Sequence, residues 1–164
     1  MTFNLLPNIT PLQQSGVDAI LSEWEAQGDG DKRKLAYILA TVYHETGKRM
    51  QPVKEFGGEA YLKSKPYYPY YGRDFVQTTW IRNYQKVKEF TGVDVVTNPE
   101  LIASVPMAAK VAVHFMLKGL YTGKKLSDYF NQTIEDWINA RRIINGKDRA
   151  ELIAGYAHQF YNDI

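Results

Sequence analysis

Apolar residues recur at helical spacing in the stretch that follows Asp31. They are Leu35, Ile38, Leu39 and Val42. Asp31 can cap the first turn of a helix, so the pattern predicts a helix from Asp31 to about Gly47. Glu45 falls on the same side as the apolar residues, because it comes three positions after Val42. A carboxylic acid therefore occupies a position that is typical of a core residue.

Similar patterns predict helices farther along the chain. One is expected over residues 78–90, where Gly92 would end it, and another over 106–118 after a proline that suits a first helical turn. Asn98-Pro99 forms a turn that can begin a further helical segment. A last helix is expected over about residues 148–161.

Other stretches interrupt the helical pattern. Residues 57–72 are rich in Gly, Pro and Tyr, which indicates an irregular loop or a short β-hairpin. Thr133 and Asp136 resemble a capping pattern before an apolar segment that ends at Asn145-Gly146. With six or seven helices and little strand signal, we expect a mainly α fold, in a single domain that spans residues 1–164.

The composition and charge of the chain exclude several classes of binding partner. A net charge of +2 is far from the basic surface of a nucleic-acid-binding protein, and no apolar run is long enough to predict a membrane span. The chain has no cysteine, which excludes disulfides and thiolate zinc sites. Its first residues lack the features of a signal peptide. We therefore expect a monomer that is made in the cytoplasm and neither binds nucleic acid nor inserts into a membrane.

Acidic side chains are the candidates for chemistry. His44 and Glu45 begin like a helical zinc-protease motif, but Lys48 replaces the second histidine that this motif requires. The chain also lacks a serine nucleophile elbow, a phosphate-binding glycine loop and a cysteine nucleophile. Glycoside cleavage requires two carboxyl groups, one of them kept protonated by an apolar setting. Glu45 suits that role, and the alternative is a solvated residue near a helix end.

Five short motifs occur in an order that resembles the family 19 glycoside hydrolases. They are His44-Glu45-Thr46-Gly47, Tyr70-Tyr71-Gly72-Arg73, Gln77-Thr78-Thr79-Trp80 with Asn83-Tyr84, Asn98-Pro99-Glu100-Leu101, and Ile143-Ile144-Asn145-Gly146 with Asp148-Arg149. That family comprises chitinases and the peptidoglycan-cleaving endolysins of bacteriophages. The resemblance covers about residues 35–161. It implies a glycosidase with a lysozyme-like, two-lobed helical fold and no metal or cofactor.

The resemblance implies roles for two acids. Glu45 matches the general acid of the family. The general base is a second Glu in the loop that follows, for which Glu55 and Glu59 are the candidates. We prefer Glu55, because its spacing from Glu45 resembles the short endolysin branch. Thr79 matches a residue that helps to hold the attacking water, and the reaction would invert the anomeric carbon, with carboxyl groups roughly 6.5–9.5 Å apart.

Other motif residues are implied to bind the substrate. Gln77, Asn83 and Asn145 match family positions that hydrogen-bond sugars, and their amides can both donate and accept. Arg149 matches an arginine that supports the catalytic carboxylates, and Tyr71 is a candidate for stacking on a sugar ring. Each of these side chains has a purely structural alternative.

One position departs from the family pattern. Asp74 follows Arg73 where family members usually carry Gly, and it could pair with Arg73, cap the next turn or raise the pKa of a neighbouring acid. Three hypotheses follow: cleavage of peptidoglycan after release to the cell wall, cleavage of chitin, and a non-catalytic descendant that binds glycan or forms part of a phage particle. The compact chain without cysteine favours peptidoglycan as the polysaccharide partner.

Overall fold

The computed structural model describes all residues, 1–164, and contains six α-helices. The first, α1 (Pro11–Gln27), begins with a capping box in which Thr10 and Gln13 exchange hydrogen bonds. Pro11 occupies the first turn, where the N–H that proline lacks would have no helical partner.

Helix α2 (Lys32–Glu45) is the central helix of the core. Asp31 caps it as predicted, since its carboxylate accepts the N–H of Arg33 at 3.0 Å. Every residue from Lys34 to Tyr43 is buried, so other parts of the chain surround the helix on all sides. Glu45 is its last residue, at the point where the helix leaves the core.

The remaining helices are α3 (Gly58–Lys63), α4 (Ile81–Thr91), α5 (Val105–Lys118) and α6 (Ala150–Asp163). Of these, α4, α5 and α6 follow the sequence pattern, whereas α3 falls in the stretch where a loop or hairpin is expected. Gly92 and Gly119 end α4 and α5 in the left-handed conformation, with φ of 74° and 72°. Short 3₁₀ helices occupy Pro99–Ala103, Leu126–Asp128 and Asn139–Ile143.

Two apolar clusters form the interior. The larger contains 31 buried residues, and in it α2 packs along α6 while α1 packs along α5. The smaller contains six buried residues from α4, α5 and the segment between them. This division agrees with the predicted mainly α, lysozyme-like fold with two lobes.

The structure differs from the prediction at the N-terminus and in the loops. Helix α1 is missing from the prediction, although Thr10 and Pro11 are typical of a helix start. Residues 57–72 contain α3 and turns and no hairpin. An isolated β-bridge occurs elsewhere, between Phe130 and Glu135.

The predicted cap at Thr133 and Asp136 is also different in detail. The N–H of Thr133 donates to Asn131 Oδ1 at 2.9 Å, so Thr133 belongs to a turn. Asp136 accepts the N–H of Asn139 at 2.9 Å and thereby starts a 3₁₀ helix. None of the helices combines the length and apolar character of a membrane span.

Candidate active site

Glu45 stands at the edge of the core with one oxygen in an ion pair, so its setting is charged and not the apolar one expected from the sequence. Its side chain is 21% exposed, and Oε1 lies 2.8 Å from Nη1 of Arg141, which is 2% exposed. The N–H groups of Nη1 do not point at that oxygen, so the contact is an ion pair without a well-aligned hydrogen bond. Oε2 of Glu45 has no partner within the protein and is the oxygen available to a ligand.

Arg141 is fixed from two directions. It lies on the 3₁₀ helix Asn139–Ile143, and its Nε donates to the carbonyl of Asp148 at 2.8 Å. The pKa of Tyr37 is raised, mainly by burial. The charges of Arg141 and Glu45 also act on the Tyr37 hydroxyl, so this hydroxyl lies near the ion pair. Glu45 therefore faces a buried cation whose position is set by the surrounding chain.

Glu55 lies on a short extended segment that pairs with residues 72–74. Its N–H donates to the carbonyl of Gly72 at 2.8 Å, and the N–H of Val53 donates to the carbonyl of Asp74 at 3.2 Å. The Glu55 carboxylate accepts the hydroxyl of Tyr67 and the N–H of Gly72, the latter at 3.2 Å. These bonds hold the carboxylate in one orientation.

The partner hydroxyl of Glu55 is itself a poor proton source. Burial, followed by the hydrogen bond to Glu55, raises the pKa of Tyr67 to about 12. Tyr67 therefore stays protonated at neutral pH and acts as a fixed donor to the carboxylate.

Glu59, the alternative base, has a different environment. Its side chain is 59% exposed, and it forms an ion pair with the equally exposed Lys54 at 3.3 Å. Such an exposed pair contributes little to stability and does not fix a carboxylate. The geometry favours Glu55 over Glu59.

Thr79 lies in a segment with unusual backbone angles. Gln77 and Trp80 both have positive φ, at 59° and 74°, although neither is glycine. The hydroxyl of Thr79 donates to the carbonyl of Gln77 at 3.2 Å and does not cap α4, for which Trp80 is the N-cap residue. The ring of Trp80 meets that of Tyr67 edge-on at 5.5 Å, so the segment adjoins the surroundings of Glu55.

Asp74 is buried and caps the turn that leads to Thr79. Its Oδ1 accepts the N–H of Thr78 at 2.8 Å, and its Oδ2 accepts the Thr78 hydroxyl at 2.6 Å. Burial raises the pKa of Asp74 despite these bonds. Of the possibilities left open for Asp74, the cap is present, whereas Arg73 pairs with Glu100 instead, at 2.9 Å.

Three of the predicted sugar-binding side chains are engaged with the protein. The amide nitrogen of Gln77 donates to the carbonyl of Val53, and that of Asn83 donates to the carbonyl of Thr79 at 2.8 Å. Tyr71 is 5% exposed, with the guanidinium carbon of Arg73 3.7 Å from its ring centroid. These contacts give each side chain a structural role, while the amide oxygens of Gln77 and Asn83 accept no hydrogen bond within the protein.

Asn145 and Arg149 are exposed, and neither meets a candidate carboxylate. Arg149 precedes α6 with a left-handed φ of 59° and forms no ion pair. In this structure Arg141, on the 3₁₀ helix Asn139–Ile143, makes the contact with Glu45 that the resemblance assigned to Arg149.

Sequence reasoning missed Arg141, the donor role of Tyr67, and Tyr121. The Tyr121 hydroxyl lies 3.2 Å from that of Thr78, and its pKa is raised by burial, then by the charge of Asp74 and more weakly by that of Glu45. Arg141 has no local signal, since it belongs to an Arg pair of the kind that is typical of surface charge. None of the five main surface cavities is lined by Glu45 or Glu55. The candidate site is therefore identified by its side chains and not by a cavity.

No protein-family model matches the chain, whereas individual proteins do. Chitinase 4 of Oryza sativa subsp. japonica is 30% identical in an alignment 148 residues long that covers 80% of this chain and 50% of that relative. The chain spans about half or less of the length of the curated relatives it matches.

Solved structures share the fold. Chitinase C from Streptomyces griseus HUT6037 superposes with a TM-score of 0.65 at 20% identity, over 96% of this chain and 72% of the chitinase. The family GH19, class IV chitinase from Zea mays gives a TM-score of 0.61 at 23% identity, over 96% and 83%.

The chain thus has the mainly α, lysozyme-like fold that glycosidases of this class share. Within that class it is a relative of the family 19 chitinases in fold and in sequence, which confirms the resemblance that its motifs predicted.

Proposed function

We propose that this protein is a glycosidase that cleaves β-1,4 bonds in polymers containing N-acetylglucosamine. The observation that carries the proposal is the pair Glu45 and Glu55, two half-buried carboxylates with different partners in a fold shared with chitinases. Such a pair supplies one proton donor and one base, and the reaction requires neither metal nor organic cofactor.

Glu45 is the proposed proton donor. Its side chain is 21% exposed, and its Oε2 forms no ion pair within the protein, so we take Oε2 as the atom that protonates the glycosidic oxygen. After the bond breaks, the carboxylate that remains is stabilised by the charge of Arg141 at 2.8 Å. Arg141 therefore supports the product side of the proton transfer.

Glu55 is the proposed base that activates water. Two donors orient its carboxylate, yet a carboxylate has about four acceptor positions, so it can accept a water proton as well. The Thr79 hydroxyl is the proposed second contact of that water, and the neighbouring ring of Trp80 is half exposed beside Tyr67. An attack by water from the face opposite the leaving group inverts the anomeric carbon.

The substrate is proposed to be bacterial peptidoglycan, with chitin as the second candidate. The compact chain without cysteine and its resemblance to the endolysin branch support peptidoglycan. The names of the relatives, which are chitinases, support chitin. Both polymers present the same β-1,4-linked sugar, so the proposed chemistry applies to either. If peptidoglycan is the substrate, the protein acts after release to the cell wall.

The test is cleavage of both polymers by the wild type and by Glu45→Gln and Glu55→Gln. We expect the wild type to clear permeabilised bacteria or to shorten a soluble chitin oligomer, and each variant to lose at least about 100-fold in rate, as is typical for loss of a catalytic acid or base. Glu59→Gln is the matched control and keeps wild-type activity.

Two results would contradict the proposal. If Glu45→Gln cleaves at the wild-type rate, Glu45 is not the proton donor. A folded wild type that binds either glycan but cleaves neither would favour the non-catalytic descendant, a hypothesis that the buried Asp74 in place of Gly keeps open.

A further inference from the structure

A cavity of about 480 Å³ opens between the end of α2 and the start of α6. Its lining includes Tyr43, His44, Lys48, Asp148, Arg149 and Tyr156. His44 precedes Glu45 in the chain, and the charges of Glu45, Arg141, Arg149 and Asp148 all act on its imidazole. The cavity therefore adjoins the proposed proton donor but is separate from it.

The cavity carries two cations that have no acidic partner. None of the seven ion pairs in the protein includes Lys48 or Arg149. Asp148 contributes one opposing charge to the lining, and the pKa of His44 is lowered by burial, so this side chain is neutral at pH 7. The lining has a positive balance, and both cations are free to pair with a ligand.

The position of Lys48 is set by its surroundings. Its backbone N–H donates to the carbonyl of Tyr43 at 2.7 Å, and the side chain of Gln13 donates to its carbonyl at 3.0 Å. Its ammonium lies 5.9 Å from the centroid of the Tyr43 ring, which in turn meets Tyr156 edge-on at 4.9 Å. The backbone of Lys48 is thus held in place, and its exposed side chain lies near the Tyr43 and Tyr156 rings that border the cavity.

We propose that this cavity is a stem-peptide site that binds a carboxylate of a peptide attached to the glycan. Lys48 and Arg149 would pair with the carboxylate, while Tyr43 and Tyr156 would contact the aliphatic part of the peptide. Peptidoglycan carries such acidic peptides and chitin has none. The inference rests on the proposed function, because it requires the glycan to lie across Glu45, and it selects peptidoglycan as the substrate.

The test compares three substrates with one charge reversal. Lys48→Glu is assayed on intact peptidoglycan, on peptidoglycan strands whose peptides have been removed, and on a soluble chitin oligomer. We expect the rate on intact peptidoglycan to fall about tenfold, the effect of losing one favourable charge contact and adding a repulsive one. The rates on the two peptide-free substrates stay within about twofold of the wild type.

Lys147→Glu is the matched control. Lys147 is exposed, lies one residue before Asp148 and does not line the cavity, so it reproduces the change in net charge alone. We expect its rate on each substrate to equal that of the wild type. Lys48→Gln changes the charge by one unit instead of two, so its cleavage rate on intact peptidoglycan should lie between those of the wild type and Lys48→Glu.

The outcomes separate the stem-peptide site from the proposed function. A uniform loss on all substrates, or no loss on any, would overturn the stem-peptide site while leaving the glycosidase intact. If the wild type cleaves nothing, the proposed function fails, and the site is then tested by binding of a soluble muramyl peptide. Tighter binding by the wild type than by Lys48→Glu supports the site, and equal binding overturns it.

Discussion

Tyr67 is the residue on which the orientation of Glu55 depends most directly. Its hydroxyl donates to Glu55 Oε2, and its high pKa of about 12 keeps that proton in place at neutral pH. A hydrogen bond to a charged group contributes about 1.5–3 kcal/mol. Removal of the hydroxyl therefore frees the carboxylate that the proposed mechanism uses as a base.

Tyr67→Phe should lower the catalytic rate, with a loss of stability of at most about 1.5–3 kcal/mol from the missing hydrogen bond. We expect kcat to fall about tenfold on whichever glycan is cleaved, since roughly 1.4 kcal/mol in the barrier is a factor of ten. Steady-state kinetics on a soluble oligomer gives the measurement. Tyr68→Phe is the control, because Tyr68 is 38% exposed and its hydroxyl has no protein partner. An unchanged kcat in Tyr67→Phe would mean that this bond does not orient the base.

Asp74 contributes to the fold through the turn before Thr79. In Asp74→Ala, the N–H and hydroxyl of Thr78 lose their buried acceptor, and an unsatisfied buried group costs about 1–3 kcal/mol. Asp74→Asn keeps an acceptor for the N–H of Thr78. We therefore expect Asp74→Ala to be clearly less stable than Asp74→Asn in urea unfolding at neutral pH. Equal stabilities would show that the cap is dispensable.

The contribution of Asp74 to stability depends on pH. Burial raises the pKa of Asp74 above its ordinary value of 3.8, so the folded state binds the proton more tightly than the unfolded state. The stabilising contribution of this carboxyl is full below pH 3.8 and is lost as the pH rises through the folded pKa. Because Asn does not titrate, the stability of Asp74→Asn relative to the wild type should increase with pH. A difference that is constant between about pH 4 and pH 8 would contradict the raised pKa.

The sequence alone predicts the roles of some residues and not of others. Glu45 and Asp74 could be singled out because each departs from a local pattern, one on an apolar helix face and one at a glycine position. Arg141 could not, since its contact with Glu45 joins residues 96 positions apart. For Gln77 and Asn83 the motifs identify the residue types, but they do not predict that an amide nitrogen of each donates to a backbone carbonyl, and their role in sugar binding stays a prediction.

At the level of elements, capping and periodicity predicted the helices that carry strong signals. Asp31 before α2 and the glycines after α4 and α5 give their ends to within a few residues. Helix α1 separates apolar from polar residues less sharply than the other long helices, and its place in the core comes from packing along α5 and against the segment after α2. Such tertiary contact does not appear in a local pattern.

Gly16 marks the contact between α1 and the segment after α2. A Cβ at this position would lie 1.8 Å from the carbonyl oxygen of Met50, a backbone atom that cannot move aside by changing rotamer. Gly16→Ala should therefore destabilise the protein by about 1–3 kcal/mol through overpacking. Thermal and urea unfolding measure the loss.

Gly155 provides the matched comparison on another helix. It lies in α6, and a Cβ at this position would have no neighbouring atom within 4 Å, so Gly155→Ala should gain about 0.5–1 kcal/mol from helix propensity. If Gly16→Ala were as stable as Gly155→Ala, α1 would not approach Met50 as closely as the structure shows.

At the scale of the whole molecule, the ends of the chain meet on one side of the core. The N–H of Asn4 donates to Asp163 Oδ2 at 2.7 Å, and the rings of Phe3 and Phe160 meet edge-on at 5.6 Å. These contacts fasten the N-terminal segment to α6, which packs along α2. The helix that ends at Glu45 is thus supported by both ends of the chain, so the position of the proposed proton donor depends on the complete fold.

The stereochemistry of the product tests how the whole molecule arranges its two acids. If Glu55 activates water while Glu45 protonates the leaving group, each cleavage of a β-linked chain releases an α-anomer first. Proton NMR of a freshly cleaved chitin oligomer or peptidoglycan fragment, recorded before the anomers equilibrate, should show the α signal in excess. The Glu59→Gln variant should give the same result. An initial β-anomer would mean that a carboxylate or the acetamido group of the sugar attacks the anomeric carbon first, and Glu55 would not then activate water for a direct attack.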